Sequence, residues 1–434
     1  MPPKKHTAAL AVLFAINILN FYDRHVAGAL AEPMRKEFHL SDGDIGLLGS
    51  AFIWIYAVIG VPFGRFADKR SRKGLLGVGI LIWSALTAFA GVASSYAMLM
   101  FSRIGVGVGE AVVAPSGTSW IGDLVPPEKR SKALALFMLG VPIGGALSYF
   151  FSGPIAQAFG WRVGMMAAAA PALVLIPVLL FLKEPDRGAA EAKPEVVEGS
   201  VWSVLKIPTL WWIIASGALL NFNMYAYGTF LPAFLSRIHG LSLARSGIAT
   251  GIVFAVGGIS GGVIAGWIGD RIFHTRKDGR MLTAATIALL GAPVAYIGIL
   301  QPHGALISAV ILVTLSYASL NSYYGCVYSS IQDIVPPVFR GTAMSVYFLV
   351  MYLGGASFGP LLTGALSDRM AHRAAEAAGA TQLTEAFKAI GLQQAMVVIP
   401  ILSVALAIVL WAGSKTIAQD MTRRQLAAAA AAAD

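Results

Sequence analysis

Runs of about twenty apolar residues recur along the whole chain and limit what it can fold into. They lie near 8–30, 44–66, 74–93, 96–120, 132–157, 162–182, 208–235, 245–268, 281–300, 305–331, 341–366 and 390–413. A helix of about 20 residues crosses roughly 30 Å of hydrocarbon, and in lipid the backbone must satisfy its own hydrogen bonds. Composition agrees, because 57% of the 434 residues are hydrophobic and 12% charged, against about 25% charged in ordinary soluble domains. The period-two alternation of an outer-membrane barrel is missing. The expected class is an all-α integral membrane protein with twelve transmembrane helices.

A net charge of +10 raises the question of nucleic acid, and the placement of the basic residues answers it. If both termini share one side, 22 of the 32 Lys and Arg fall on that side: Lys4 and Lys5, the loops 65–73, 129–132, 183–206 and 271–280, Arg340, Lys415, Arg423 and Arg424. The opposite side receives Arg35, Lys36, Arg162, Arg237, Arg245, Arg369, Arg373 and Lys388. The positive-inside rule explains this surplus and puts both termini in the cytoplasm, with no nucleic-acid partner required. MPPKKH and the first run resemble a secretory signal, but Asp23 and Arg24 interrupt the run before the small residues Ala29-Leu30-Ala31. The first run is therefore read as a retained span.

The chain also repeats itself. DLVPPEKRSKA (123–133) matches DIVPPVFRGTA (333–343) at an offset of 210, and GRFADKR (64–70) matches GWIGDRI (266–272) at an offset of 202. Two pseudo-symmetric six-helix bundles, 1–182 and 207–434, joined by the charged linker 183–206, are the architecture of alternating-access carriers.

GRFADKRSRKG and its partner GWIGDR resemble the loop signature of the major facilitator superfamily. NFYDRHVAGAL (20–30) and RIGVGVGEAVVAPSGTSWIGDLVPPEKRSKAL (103–134) are similar to the Spinster family of lipid carriers. Two departures stand out. Ser71 occupies a loop position where the superfamily usually has glycine, and in the second half FHT separates GWIGDRI, with Asp270-Arg271, from Arg276-Lys277. The resemblance implies the major facilitator fold, in which spans one, four, seven and ten line a central cavity.

Charges inside a membrane are expensive and usually functional. Neighbouring helical residues point about 100° apart, so Asp23 and Arg24 cannot neutralise each other and each needs a partner elsewhere. Asp23 lies about 10.5 Å below the outer end of span one, and Arg103 lies at the same depth in span four. Glu110, seven residues further, shares the face of Arg103. The expectation is that Asp23 pairs with Arg103 in one access state and loses it in another, with Asp23 and Glu110 as proton-coupling acids and Arg24 as contact for an anionic head group. A permanent polar cluster that only fixes helix packing is the alternative.

Spans seven to twelve carry no Asp, Glu, Lys or Arg in their cores. Asn221, Asn223, Tyr225, Tyr227, Asn321, Tyr323 and Tyr324 are there to contact a ligand beside an apolar wall, or to hydrogen-bond neighbouring helices. In the signature loops Asp68 with Arg72 or Lys73, and Asp270 with Arg271, resemble the superfamily's cytoplasmic latch. Asp123 with Arg130 and Asp333 with Arg340 are expected to complete these latches. The alternative is a solvated positive-inside loop.

Other motifs read as structural. GVGVG (105–109) is not a dinucleotide fingerprint, and SDGD (41–44) reads as a helix cap. HExxH and grouped His or Cys are missing, which argues against a metal or a cofactor, and no enzyme is expected. The chain is expected to be a monomeric, proton-coupled secondary carrier of a lysophospholipid or sphingoid lipid. The alternative substrate is a small water-soluble organic anion, and short loops in a compact chain point to a bacterial inner membrane.

Overall fold

The computed structural model describes residues 3–187, 189, 201–336 and 339–431, without the side chains of 3–6, Arg65, Asp68, Pro127, Glu128, Ser131, 201–203 and 427–431. Most of the linker thus lies outside the described residues. What is described is helical, with no strand. Spans one to six run over Pro3–Ala29, Asp42–Lys69, Arg72–Ala90, Tyr96–Glu110 continued by Val113–Leu124, Pro127–Met138 continued by Gly140–Phe159, and Trp161–Ala169 continued by Ala172–Phe181. Spans seven, nine and ten are Pro208–His239, Gly279–Ile299 and Leu306–Ile334. Span eight is Leu243–Ile252 and Gly258–Phe273, interrupted by a π-helical turn, and span eleven, Arg340–Met351 and Phe358–Ala377, has the same interruption. Span twelve is Glu385–Met396 continued by Val398–Ala431.

Among the described residues, ten of these helices are long and apolar enough to cross a membrane. The remaining two, Pro3–Ala29 and Pro208–His239, are 27 and 32 residues long, enough to span, and are less uniformly apolar. The cause is their polar cargo: Asn17, Asn20, Asp23 and Arg24 in span one, Asn221, Asn223, Tyr225 and Tyr227 in span seven. The first helix of each repeat is therefore the least lipid-like. Elsewhere the surface is apolar, as at Phe181, Leu173 and Ile307, exposed by 90%, 78% and 76%. Such a belt is a liability in water and suits a hydrocarbon solvent.

By contact the chain divides into two compact units. The first contains the chain up to the linker together with Gly228–Ala255, that is, the far end of span seven and the near end of span eight. The second contains the rest of span seven and everything from Val256 onward.

In the first unit span one packs along span five, span four lies between spans two and three, and Leu243–Ile252 lies on span five. Glycines permit these approaches: a Cβ on Gly109 would stand 2.8 Å from the backbone nitrogen of Trp83, and one on Gly107 2.8 Å from the carbonyl of Phe52. The GVGVG stretch is thus a packing surface. Ser41 and Asp44 form a reciprocal capping box at the start of span two, as the SDGD pattern predicts. In the second unit span nine packs on spans ten and twelve, and Gly258–Phe273 on span ten.

Candidate functional site

Four charges of the first unit converge inside the membrane segment. Arg24 donates through Nε and Nη2 to Glu110 Oε2 at 3.3 and 3.2 Å, with both side chains sealed from solvent. Its guanidinium also lies over the rings of Tyr56 and Phe21, 4.3 and 4.5 Å from their centroids. The helix of Glu110 breaks right after it, between Glu110 and Val113.

The depth match of Asp23 and Arg103 holds, but the expected ion pair does not form in this structure. Arg103 points Nη1 and Nη2 at the backbone carbonyls of Asp23 and Arg24, each at 3.4 Å, and lies over Phe52. The Asp23 carboxylate is fully buried, and neither oxygen has a hydrogen-bond partner among the described residues. Trp83 Nε1 and Thr87 Oγ1 face it as its nearest side-chain donors, short of full hydrogen-bond geometry. Buried polar groups are nearly always hydrogen-bonded, so this network of two acids and two arginines is left incomplete at Asp23. Arg24, assigned to a substrate head, is here occupied by Glu110.

A second cluster stands at the end of this unit away from the basic loops. It was not foreseen. Glu32, in the short helix Ala31–Glu37, receives Arg35 at 2.9 Å and Arg237 at 2.8 Å, and Arg237 reaches Asp42 at 2.8 Å with its other face. Burial alone would raise the Glu32 carboxyl, but Arg35 and Arg237 outweigh it and hold it down at about 2. The end of span seven away from the basic loops is thereby pinned to the starts of that helix and of span two.

In the second unit several polar residues are committed to neighbouring helices. Asn223 donates to Ile399 and Ser403, the Tyr227 hydroxyl meets Ser316 at 3.0 Å, and Tyr323 shares hydrogen bonds with Ser216 and Ile213. Asn321 donates to the carbonyl of Tyr317 one turn before it. Tyr225 and Tyr324 are half-buried and more open: the Tyr324 hydroxyl donates at 3.4 Å to Oδ1 of Asn221, which is itself buried and donates to the Gly217 carbonyl, and Tyr225 meets Tyr352 edge-on. Tyr352 opens the π-helical turn of span eleven. With Tyr328 and Phe348 it extends this half-buried aromatic surface, which the sequence reading missed.

The basic loops form ion pairs and hydrogen bonds with partners other than those expected. Arg72, fully buried, pairs with Asp123 and donates to the Ser119 carbonyl. Arg130 instead donates to the carbonyl of Gly122. The side chain of Asp68 lies outside the described residues. Lys73 reaches the carbonyls of Leu180 and Leu182. In the second half Asp333 pairs with Arg280 at 2.6 Å, not with Arg340, which turns to the carbonyls of Gln332 and Val335. Arg280 also holds Asp270 at 2.7 Å, while Arg271 lies over Trp267. The repeat therefore pairs the arginine at the start of its third helix with the aspartate at the end of its fourth.

The unusual Ser71 has a partner as well. Glu184 accepts from Ser71 Oγ at 2.7 Å, from Arg72 Nε at 2.9 Å and from the backbone amides of Arg72 and Lys73. A carboxylate at a helix start meets free amides and the positive end of the dipole. Burial would raise this carboxyl, yet Arg72 and Ser71 hold it below the ordinary glutamate value. Arg187 caps the other side, donating to the last carbonyls of span two at Ala67 and Arg70.

Comparison with known proteins places these features in context. The family described as Major Facilitator Superfamily matches residues 13–360. An "MFS-type efflux pump" of Mycolicibacterium smegmatis is 31% identical over 85% of this chain and 86% of its own length. "Protein spinster homolog 3" of Mus musculus is 28% identical over 85% of this chain and 76% of its own. Among solved structures, a bacterial homolog of the human lysosomal transporter Spinster, in an inward-facing and unoccupied conformation, superposes with a TM-score of 0.86 at 26% identity, covering 97% of this chain and 99% of that one.

Proposed function

Since the chain belongs to the major facilitator superfamily and, within it, resembles the Spinster transporters, we propose that this transporter moves an amphipathic lipid of lysophospholipid or sphingoid type by alternating access coupled to protons. It works as a monomer in the cell inner membrane, with both termini in the cytoplasm, the side to which the positive-inside rule assigns the basic loops.

The observation that carries this reading is the buried carboxylate of Asp23, left without a hydrogen-bond partner beside the Arg24–Glu110 pair. A charge in that position is costly, and protonation relieves the cost. A proton on Glu110 weakens its hold on Arg24, whose guanidinium then becomes available to an anionic head group. A proton on Asp23 removes the charge that Arg103, at the same depth, is placed to meet in the other access state. Asn221, Tyr225 and Tyr324 line the apolar wall for the acyl chain.

Latches at the two ends complete the cycle. Ion pairs stand at both ends in this structure, Glu32–Arg237–Asp42 at the outer end and Arg72–Asp123 and Arg280–Asp333 at the cytoplasmic end, and opening to either side releases the set on that side. Movement of a fluorescent lysophospholipid across proteoliposomes, with and without an imposed pH gradient, tests the proposal. Gradient-dependent movement supports it. Inert lipid together with gradient-driven uptake of a small organic anion replaces the lipid by a water-soluble substrate.

A further inference from the structure

The insertion that disturbs the second signature loop builds something of its own. Span eight runs on to Phe273, and the turn that follows carries His274 and Lys277 before span nine begins at Gly279. These three residues, with Arg280, form one side of a cleft of about 550 Å³; Met421 and Gln425 of span twelve form the other. That volume lies within the range of small-ligand sites, about 300–1,000 Å³. The lining has two characters. Phe273 and Met421 are apolar, while Lys277 and His274 offer nitrogen donors at the rim. The one acid in the wall, Asp270, is bound to Arg280.

The depth of the cleft is informative. Trp267 and Trp411, exposed by 64% and 52%, stand on the two helices that supply its walls, and each has a cation over its ring, Arg271 and Lys415. Exposed tryptophan marks the membrane–water interface. Phe273 and Met421 follow those tryptophans by about 9 and 15 Å along their helices, so the cleft opens on the water side of them, at the outer edge of the head-group layer and beyond it. Basic pockets at such positions take phosphorylated head groups.

We propose that this cleft is a binding site for an anionic phosphate group, presented by a membrane lipid whose acyl chains pass Phe273 and Met421 or delivered as free phosphate from solution. Lys277 and His274 meet the phosphate, and Gln425 donates to it from the facing helix. The site is separate from the transported substrate and stands whether or not that substrate is a lipid.

The test uses the full-length protein purified in detergent, with binding read by native mass spectrometry. Dioctanoyl phosphatidylglycerol, dioctanoyl phosphatidylcholine and inorganic phosphate are offered to the wild type, to the double variant His274→Gln/Lys277→Gln and to the control Lys388→Gln. We expect phosphatidylglycerol to bind about tenfold more tightly than phosphatidylcholine, the double variant to abolish that preference and the control to keep it. Inorganic phosphate bound by the wild type and lost in the double variant identifies the source as the soluble anion. Equal binding of the two lipids with no binding of phosphate overturns the proposal. So does a preference for phosphatidylglycerol that survives in the double variant. All three substituted side chains lie at the surface ends of helices or in a turn, so loss of the fold does not confound the reading.

Discussion

Arg24 and Glu110, 86 residues apart in the chain, meet at 3.2 Å with both side chains closed to solvent. Removing one partner of a buried pair strands the other charge, at a cost of about 3–5 kcal/mol. Glu110→Gln should therefore lower the melting temperature of the purified protein strongly. The double change Glu110→Gln/Arg24→Met should restore most of the loss, because it removes both charges while keeping volume. Additive effects would mean that the two residues do not depend on each other.

Asp23 behaves differently. Its carboxylate has no arginine partner and only Trp83 and Thr87 as nearby donors, which an amide oxygen can also accept from, so Asp23→Asn should leave stability within about 1 kcal/mol of the wild type or raise it, since the amide removes a buried charge. Gradient-driven transport should nevertheless disappear. Stability and transport measured on the same preparation separate this behaviour from that of Glu110, where both fall.

The Glu32–Arg237–Asp42 cluster gives a pH dependence with a defined sign. The Glu32 carboxyl is held at about 2 against an ordinary 4.5, so its folded-state value is depressed. Its contribution to stability is fully present above pH 4.5 and is lost as pH falls from there toward 2. The size is on the order of 3 kcal/mol. A melting curve of the wild type should fall through this window, and Glu32→Gln should be less stable at neutral pH and flatter below it.

In the basic loops of the second half the partner of Asp333 is Arg280, at 2.6 Å, while Arg340 serves backbone carbonyls. Arg280→Lys loses the forked guanidinium that reaches Asp270 and Asp333 together, and it should slow transport more than Arg340→Lys. Equal effects in a transport assay would contradict the assigned partners.

Ser71 illustrates how a departure from a family pattern is absorbed. Restoring the family residue with Ser71→Gly removes one donor to Glu184 but keeps a residue suited to a helix start, costing a few tenths of a kcal/mol. Glu184→Ala also releases Arg72 and the two amides that it holds, and should cost about 1–3 kcal/mol. Melting temperatures of the two variants rank these contributions.

Much of this was legible in the sequence because charge is conspicuous in apolar runs. Asp23, Arg24, Arg103 and Glu110 stood out, and counting residues from the helix ends brought Asp23 and Arg103 to one depth. Depth fixes position along a helix axis and says nothing of rotation about it, which is why the acid that pairs with an arginine is Glu110. Arg280 was hidden by the inserted residues that shift the repeat from an offset of 202 to one of 210. The outer latch joins residues 205 positions apart that share no motif. The aromatic surface around Tyr328 and Tyr352 escaped notice because tyrosine is common in apolar helices. Only the irregular turn at Tyr352 distinguishes it.

The central claim is that lipid movement and proton movement are one event, and the pH inside proteoliposomes tests it most directly. A gradient of lysophospholipid is imposed at equal starting pH, and a trapped dye reports the lumen. Coupling predicts a pH change that appears with the lipid gradient, scales with it and is missing in Asp23→Asn. Lysophospholipid that crosses with the wild-type protein while the internal pH stays constant would contradict the account.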